Sequence, residues 1–208
     1  MTDVTDESVG RLHPLLSDRL SPRSFDPSHE VDDATLLTLL EAARWAPSSM
    51  NRQPWRFVVA RRGTTPHTEV MAALNEGNRV WAGDASLLVV AIAERNRDGV
   101  ALTTADYDLG LSVAQLGVQA HALDLHAHQM GGFDAAVLRR TLELDESLDP
   151  VVVVALGRRD VAHRLPEHLR ERETAARTRR PLADLVLSVD GLPWPRHVDN
   201  DGAAASAA

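Results

Sequence analysis

Cysteine is absent from the 208 residues. That removes disulfides, thiolate metal sites and cysteine nucleophiles, and it sets the expectation of a reducing, cytoplasmic location. Long apolar runs are missing too. No stretch approaches the roughly 18 residues that cross a bilayer. Residues 1–10 are polar and acidic, without the basic start and apolar segment of a secretory signal. Basic charge is in deficit, with 22 Lys and Arg against 30 Asp and Glu, for a formal net charge of -8. This balance argues against nucleic acid and anionic membranes as partners. The chain has no G-x-x-x-x-G-K-[ST], no G-x-G-x-x-G after a strand, no H-E-x-x-H and no internal repeat.

What is present is an ordinary globular composition, 44% hydrophobic and 25% charged. The length suits one sizeable domain. We expect a single domain over residues 1–200, with the Gly, Ala and Ser residues of 201–208 as a disordered tail. Residues 31–45 have the apolar stripe of an amphipathic helix (Leu36, Leu37, Leu39, Leu40, Ala43), with Asp32 or Asp33 as cap and Pro47 just beyond its end. Residues 56–60 read as a strand and 65–75 as a short helix. Residues 86–93 and 150–157 are apolar, Val-rich runs expected as strands buried on both faces. Residues 103–123 read as a long helix covered on nearly all sides. Residues 125–130 read as a strand, and 134–142 as a helix capped by Asp134. Few strands and long helices mean α+β or three-layer α/β. Residues 158–200 are charged and broken by proline, with too little core of their own, so a partner subunit is expected to supply their surface.

Two apparent sites dissolve on inspection. Gly110, Ser112 and Ala114 half-resemble a nucleophile elbow, but they sit inside the long helix with no strand before them. His126 and His128 bind a metal only with a third ligand, and no such cluster accompanies them.

Four segments carry more chemistry. Arg19, Ser21 and Arg23 alternate along an extended piece, so they share one side of it, and the arginine fork suits phosphate. Residues 46–57 (APSSMNRQPWRF) crowd Ser48, Ser49, Asn51 and Gln53 between Pro47 and Pro54, with Trp55 and Phe57 as anchors. Met130-Gly131-Gly132-Phe133-Asp134 bares backbone N–H groups at a helix start. Arg177, Arg179 and Arg180 form a late basic cluster. Taken singly, each has a plainer reading: a solvated basic turn, a connecting loop, a tight turn, a solvated face.

Taken in order, R-x-S-x-R-x-F-D, APSSxNxQPWxF, GNxxWxxDA, GGFD and R-x-R-x-P-L resemble the FMN-dependent nitroreductase family over about residues 16–185. The APSSxNxQPW element is the specific one. The resemblance implies an α+β, three-layer α/β/α fold: a central, mostly antiparallel sheet flanked by helices, with a C-terminal extension wrapping the partner subunit. It implies a homodimer with FMN at the subunit interface and NADH or NADPH as electron donor. By the same resemblance Arg19, Ser21 and Arg23 hold the phosphate and part of the ring. Arg177 and Arg179 (or Arg180, one register away) add phosphate contacts. Pro47, Ser48, Ser49 and Asn51 reach across the dimer, with Gln53 in support. Asn78 meets the pyrimidine edge, and the N–H of Gly131 or Gly132 lies near flavin N5. No side chain is catalytic, because the flavin carries the chemistry.

The activity so implied is hydride transfer from NAD(P)H through flavin N5 to a nitroaromatic, quinone or activated alkene, by a ping-pong route. The alternatives are a specialised flavin enzyme of dehalogenase, flavin-fragmenting or dehydrogenase type, and a flavin-binding protein without turnover. One departure is Trp81, which stands where several family members carry a lysine near flavin O2. Arg19 or Arg23 would then have to supply that charge.

Overall fold

The computed structural model describes residues 12–189 and 192–193. The expectations for residues 1–10 and for the 201–208 tail lie outside them. Two compact units are distinguished, Asp18–Thr174 and the pair Met1–Ser17 with Ala175–Ala208.

In the larger unit the helices are α1 (Asp33–Arg44), α2 (Thr65–Ala73), α3 (Glu76–Ala82), α4 (Ala105–Ala122), α5 (Ala135–Thr141) and α6 (Glu167–Thr174). The main strands are β1 (Trp55–Arg61), β2 (Leu87–Glu94), β3 (His126–Met130) and β4 (Leu148–Gly157). They form one antiparallel sheet in the order β1-β2-β4-β3. A two-residue hairpin, Asn96–Arg97 with Val100–Ala101, follows β2.

The alternation of β2 explains the layers. Leu87, Val89, Ala91 and Ala93 face Leu39 and Ala43 of α1 and Leu109, Val113 and Leu116 of α4. Leu88, Val90 and Ile92 face Val70 of α2, Trp81 of α3, Leu138 of α5 and Leu169 of α6. With helices on both sides, all positions of β2 are buried, as its unbroken apolar run requires. Each fully buried Leu, Ile or Val there contributes about 1.5–3 kcal/mol, and truncating Ile92 to Ala costs about 2–5 kcal/mol. The register slips once. Ala91 pairs with Val152 and Ile92 with Pro150, leaving Val151 extra. Pro150 falls at this irregularity because it has no N–H for the ladder.

Local chemistry sets the helix limits. Asp32 accepts the Thr35 N–H at 2.7 Å and starts α1, and Asp134 caps α5 through the Ala136 and Val137 N–H groups. Two expectations need correction. The helix expected over 65–75 stops at Ala73, Leu74 turns extended, and Asn75 caps the unanticipated α3. The long helix α4 is covered on one side only: Tyr107, Gly110, Ala114 and Ala122 are exposed. Small residues along that face made it look interior in the sequence.

The smaller unit contains a helix at Pro14–Ser17, a turn at Leu182–Asp184 and the short pairing Ser188–Val189 with Leu192–Pro193. Leu182, Leu185 and Leu187 are exposed.

Candidate functional site

Where β3 leaves the sheet, Gly131 and Gly132 turn the chain into α5. The Gly132 carbonyl accepts the Asn75 N–H at 3.0 Å and the Asn78 side-chain amide at 3.1 Å. Asn75 Oδ1 accepts the Asn78 N–H at 3.0 Å, so the two asparagines hold each other while both grip the turn. Leu74 and Phe133 form a β-bridge, and the Asp134 N–H donates to the Ala73 carbonyl at 2.9 Å. A cavity of about 630 Å³ opens beside this turn, with Asn75, Arg79, Gly131, Gly132 and Phe133 in its lining. That volume is in the range of ligand sites. Asn75 escaped the sequence reading. The signal was there, in an Asn at a helix start three residues before Asn78.

The arm bearing Arg19, Ser21 and Arg23 is fixed by its backbone. The Pro22 carbonyl accepts from His128 Nδ1 on β3 at 2.9 Å. The Arg23 N–H donates to Glu173 of α6 at 2.9 Å, and the Ser24 hydroxyl donates to the Val161 carbonyl at 2.7 Å. Arg19 Nη1 reaches Ser21 Oγ at 3.2 Å. Burial holds the His128 imidazole below its ordinary range, despite the carbonyl it serves. Trp81 is 2% exposed and packs between Phe25 (centroids 6.2 Å) and His128 (4.5 Å). It is therefore a core residue that ties α3 to the arm and to β3.

The loop before β1 has an unusual backbone. Met50, Asn51 and Gln53 all lie in the left-handed region, at φ 52, 55 and 48. Such geometry costs about 1–2 kcal/mol per non-glycine residue, so the loop must be held. Ser48 Oγ accepts the Gln53 N–H at 3.0 Å, and Gln53 Nε2 donates to Asn51 Oδ1 at 3.0 Å. From outside, Asp108 of α4 accepts the Ser49 N–H at 3.2 Å and the Thr104 hydroxyl at 2.9 Å. Arg97 donates to the Arg52 carbonyl at 2.9 Å. Pro47, Ser49 and Asn51 are exposed.

The arm, Asn78 and the Gly131–Gly132 turn thus gather around Trp81 and His128. The loop with Pro47, Ser48, Ser49, Asn51 and Gln53 does not join them within one chain. It precedes β1 at one edge of the sheet, while the glycine turn follows β3 at the other. Three strand spacings of about 4.8 Å, roughly 14 Å, separate those edges. Arg177 and Arg179 belong to the smaller unit. There Arg177 donates to the Ser17 carbonyl at 2.6 Å and Arg179 to the Thr178 carbonyl at 2.8 Å.

Ser112 is spent on structure: fully buried, its hydroxyl donates to the Ala43 carbonyl at 2.8 Å. His126 meets His121 edge to face at 5.6 Å. Among the described residues no three His, Cys, Asp or Glu side chains are grouped to hold a metal, and no helix is long and apolar enough to cross a membrane.

Known proteins agree with this architecture. The sequence model of the Nitroreductase family matches residues 16–158. A Bacillus subtilis protein that bears the name "Putative NAD(P)H nitroreductase YdgI" is 25% identical over 182 residues, covering 69% of this chain and 86% of its own. The crystal structure of an FMN-containing oxidoreductase superposes with a TM-score of 0.80 at 37% identity, covering 86% of this chain and 91% of that one. A Desulfovibrio desulfuricans protein crystallised in complex with FMN does so with a TM-score of 0.70 at 28% identity, over 88% and 99% of the two chains.

Proposed function

From its membership of the nitroreductase family, which the match over residues 16–158 establishes, we propose that this chain is an FMN-dependent NAD(P)H oxidoreductase acting as a homodimer on a nitroaromatic, quinone or activated alkene. The observation that carries the reading is the Gly131–Gly132 turn, with its carbonyl pinned by Asn75 and Asn78 beside the open cavity. The residues fit a flavin nucleotide. A Cβ built at Gly132 would lie 2.2 Å from Asn75 Nδ2, so the packed asparagine demands glycine there, whereas one at Gly131 would meet nothing within 4 Å, which leaves an open backbone edge at Gly131 against which a flat ring can lie. Arg19, Ser21 and Arg23 on one fixed arm supply cationic and hydroxyl donors for a phosphate.

FMN, when bound, supplies two-electron chemistry by taking and giving hydride at N5. The chain's own residues do the rest. Arg19, Ser21 and Arg23 bind the phosphate and part of the ring, and Arg19 or Arg23 brings the positive charge to the ring that Trp81, in place of a lysine, does not supply. Arg177 and Arg179, from the extension that wraps the partner, complete the phosphate contacts. Asn78 meets the pyrimidine edge, and the backbone N–H of Gly131 or Gly132 faces N5. Pro47, Ser48, Ser49 and Asn51, braced by Gln53, reach the flavin of the other subunit. The separation of this loop from the glycine turn within one chain supports that crossing, and the exposed face of α4 offers a surface for the second copy. No acid–base pair is required of the protein. Donor and acceptor would use one open face in turn, which means ping-pong kinetics, and the charge and lack of cysteine accord with the cytoplasm.

Purified protein tests this. It should be yellow, bleach on NADPH or NADH under argon, and recover with a quinone, with parallel double-reciprocal lines. Intersecting lines would count against the shared face. Colour without bleaching would favour a flavin carrier, and failure to take up added FMN would overturn the reading.

A further inference from the structure

The Ser48–Gln53 loop is held by residues outside its own motif as well as by its internal hydrogen bonds, and one of these is Arg97. Its guanidinium donates to the Arg52 carbonyl at 2.9 Å and to the Gln53 carbonyl at 3.5 Å. These are the carbonyls that flank the left-handed Gln53. Arg97 is itself held by Glu94, whose two carboxylate oxygens each lie 3.1 Å from its Nε. Glu94 is 8% exposed and also pairs with Arg56 at 2.8 Å, while Arg56 Nη1 donates to the Trp55 carbonyl at 2.8 Å. A carboxylate at the end of the central strand thus anchors two guanidinium groups, and these in turn hold the carbonyls that lead into β1. An exposed ion pair adds little to stability. A guanidinium fixed by a buried carboxylate and turned on two loop carbonyls does something more specific, because it selects one backbone conformation of the loop.

We propose that Arg97, clamped by Glu94, is a positioning residue that holds the Ser48–Gln53 loop in its left-handed geometry and thereby sets how tightly the protein retains FMN. This rests on the flavin reading given above. Arg97 does not touch the cofactor in this account. It acts through Ser48, Ser49 and Asn51, which do.

The test uses the full-length holoprotein and three variants, Arg97→Met, Arg97→Lys and Arg61→Met. Arg97→Met keeps the aliphatic stem and removes every donor. Arg97→Lys keeps the charge for Glu94 but offers a point donor that does not span two carbonyls. Arg61→Met removes an arginine of similar exposure to Arg97, one that pairs with the exposed Asp33 and donates to the Val31 carbonyl, far from the loop. The readouts are the FMN dissociation constant by flavin fluorescence, the melting temperature, and activity with and without excess FMN. Arg97→Met should weaken FMN retention about tenfold or more, with activity recovering when FMN is added in excess. Arg97→Lys should fall between it and the wild type, and Arg61→Met should lower the melting temperature without loosening FMN. Should Arg97→Met fail to fold, Arg97→Lys decides alone. Wild-type FMN affinity in a folded Arg97 variant overturns the inference. So does a loss that excess FMN does not repair, which would mark Arg97 as merely structural. A wild-type protein that takes up no FMN overturns the flavin reading itself, and this inference with it.

Discussion

The side-chain amide of Asn78 donates to the carbonyl of Gly132 at 3.1 Å, and this bond, with Asn75 beside it, leaves no room for a side chain at that glycine. A Cβ at Gly132 would stand 2.2 Å from Asn75 Nδ2 and 3.0 Å from Asn78 Nδ2, whereas one at Gly131 would meet nothing within 4 Å. The two adjacent glycines should therefore respond differently. Gly132→Ala forces the asparagines out of their bonds and should cost about 1–3 kcal/mol together with bound flavin. Gly131→Ala should change stability by less than about 0.5 kcal/mol. Chemical denaturation of both variants, with flavin absorbance read alongside, checks the contrast, and equal losses at the two positions would contradict it.

Much of this was legible in the sequence, and the reasons are local. The unbroken apolar run of β2 announced a doubly covered strand, and Asp32 and Asp134 announced their helices. The candidate site segments stand out in the sequence because loops rich in Ser, Asn, Pro and Gly are read residue by residue. What stayed hidden is what depends on distant partners. Glu94, Arg97 and Asp108 hold the Ser48–Gln53 loop from positions 41 to 60 residues away along the chain, as in Arg97 with Arg52 at a separation of 45 and Asp108 with Ser49 at 59. No local pattern marks such pairs. Trp81 was read as standing at a ligand position, and its burial between Phe25 and His128 was not visible without the fold. The exposure of one face of α4 within the single chain was not visible in the sequence, because Gly110 and Ala114 look the same in a core, in a subunit interface and on a solvated helix face.

Acid should loosen the fold before the carboxylates titrate. Burial is the leading cause that lowers the pKa of His29, His67, His126 and His128 from the ordinary 6.5. With the folded value below the unfolded one, the unfolded chain binds more protons in the window beneath 6.5. Stability is thus full above that value and is lost as pH falls toward the folded pKa of each ring. Melting temperature should decline between about pH 7 and pH 5, and His128→Gln should make the decline shallower. A melting temperature that stays flat across that window would refute the assignment.

If the loop crosses to the other subunit's flavin, association and flavin retention must fail together. Ala114→Glu places a charge on the exposed face of α4, and an unpaired charge buried in an interface costs about 3–5 kcal/mol. The variant should elute as a monomer and lose its yellow colour in the same fractions. A folded monomer that keeps FMN tightly would show that Pro47, Ser48, Ser49 and Asn51 serve some other purpose.

The arginines can be separated by removing the phosphate from the ligand instead of the residue from the protein. Arg19 and Arg23 lie on the fixed arm, and Arg177 and Arg179 lie in the smaller unit. All four are read as phosphate contacts, with Arg180 the alternative to either of the last two. A hydrogen bond to a charged group contributes about 1.5–3 kcal/mol, so each true contact replaced by Met should weaken FMN roughly 10- to 100-fold. Riboflavin has the same ring without the phosphate, so its affinity should hardly change where the arginine touches phosphate alone. Arg23→Met should weaken both ligands if Arg23 also brings charge to the ring, whereas Arg177→Met and Arg179→Met should spare riboflavin. Isothermal titration of apoprotein with both ligands decides the matter: an Arg177 or Arg179 variant that binds FMN as the wild type does, beside an Arg180→Met that does not, would move the contact by one register.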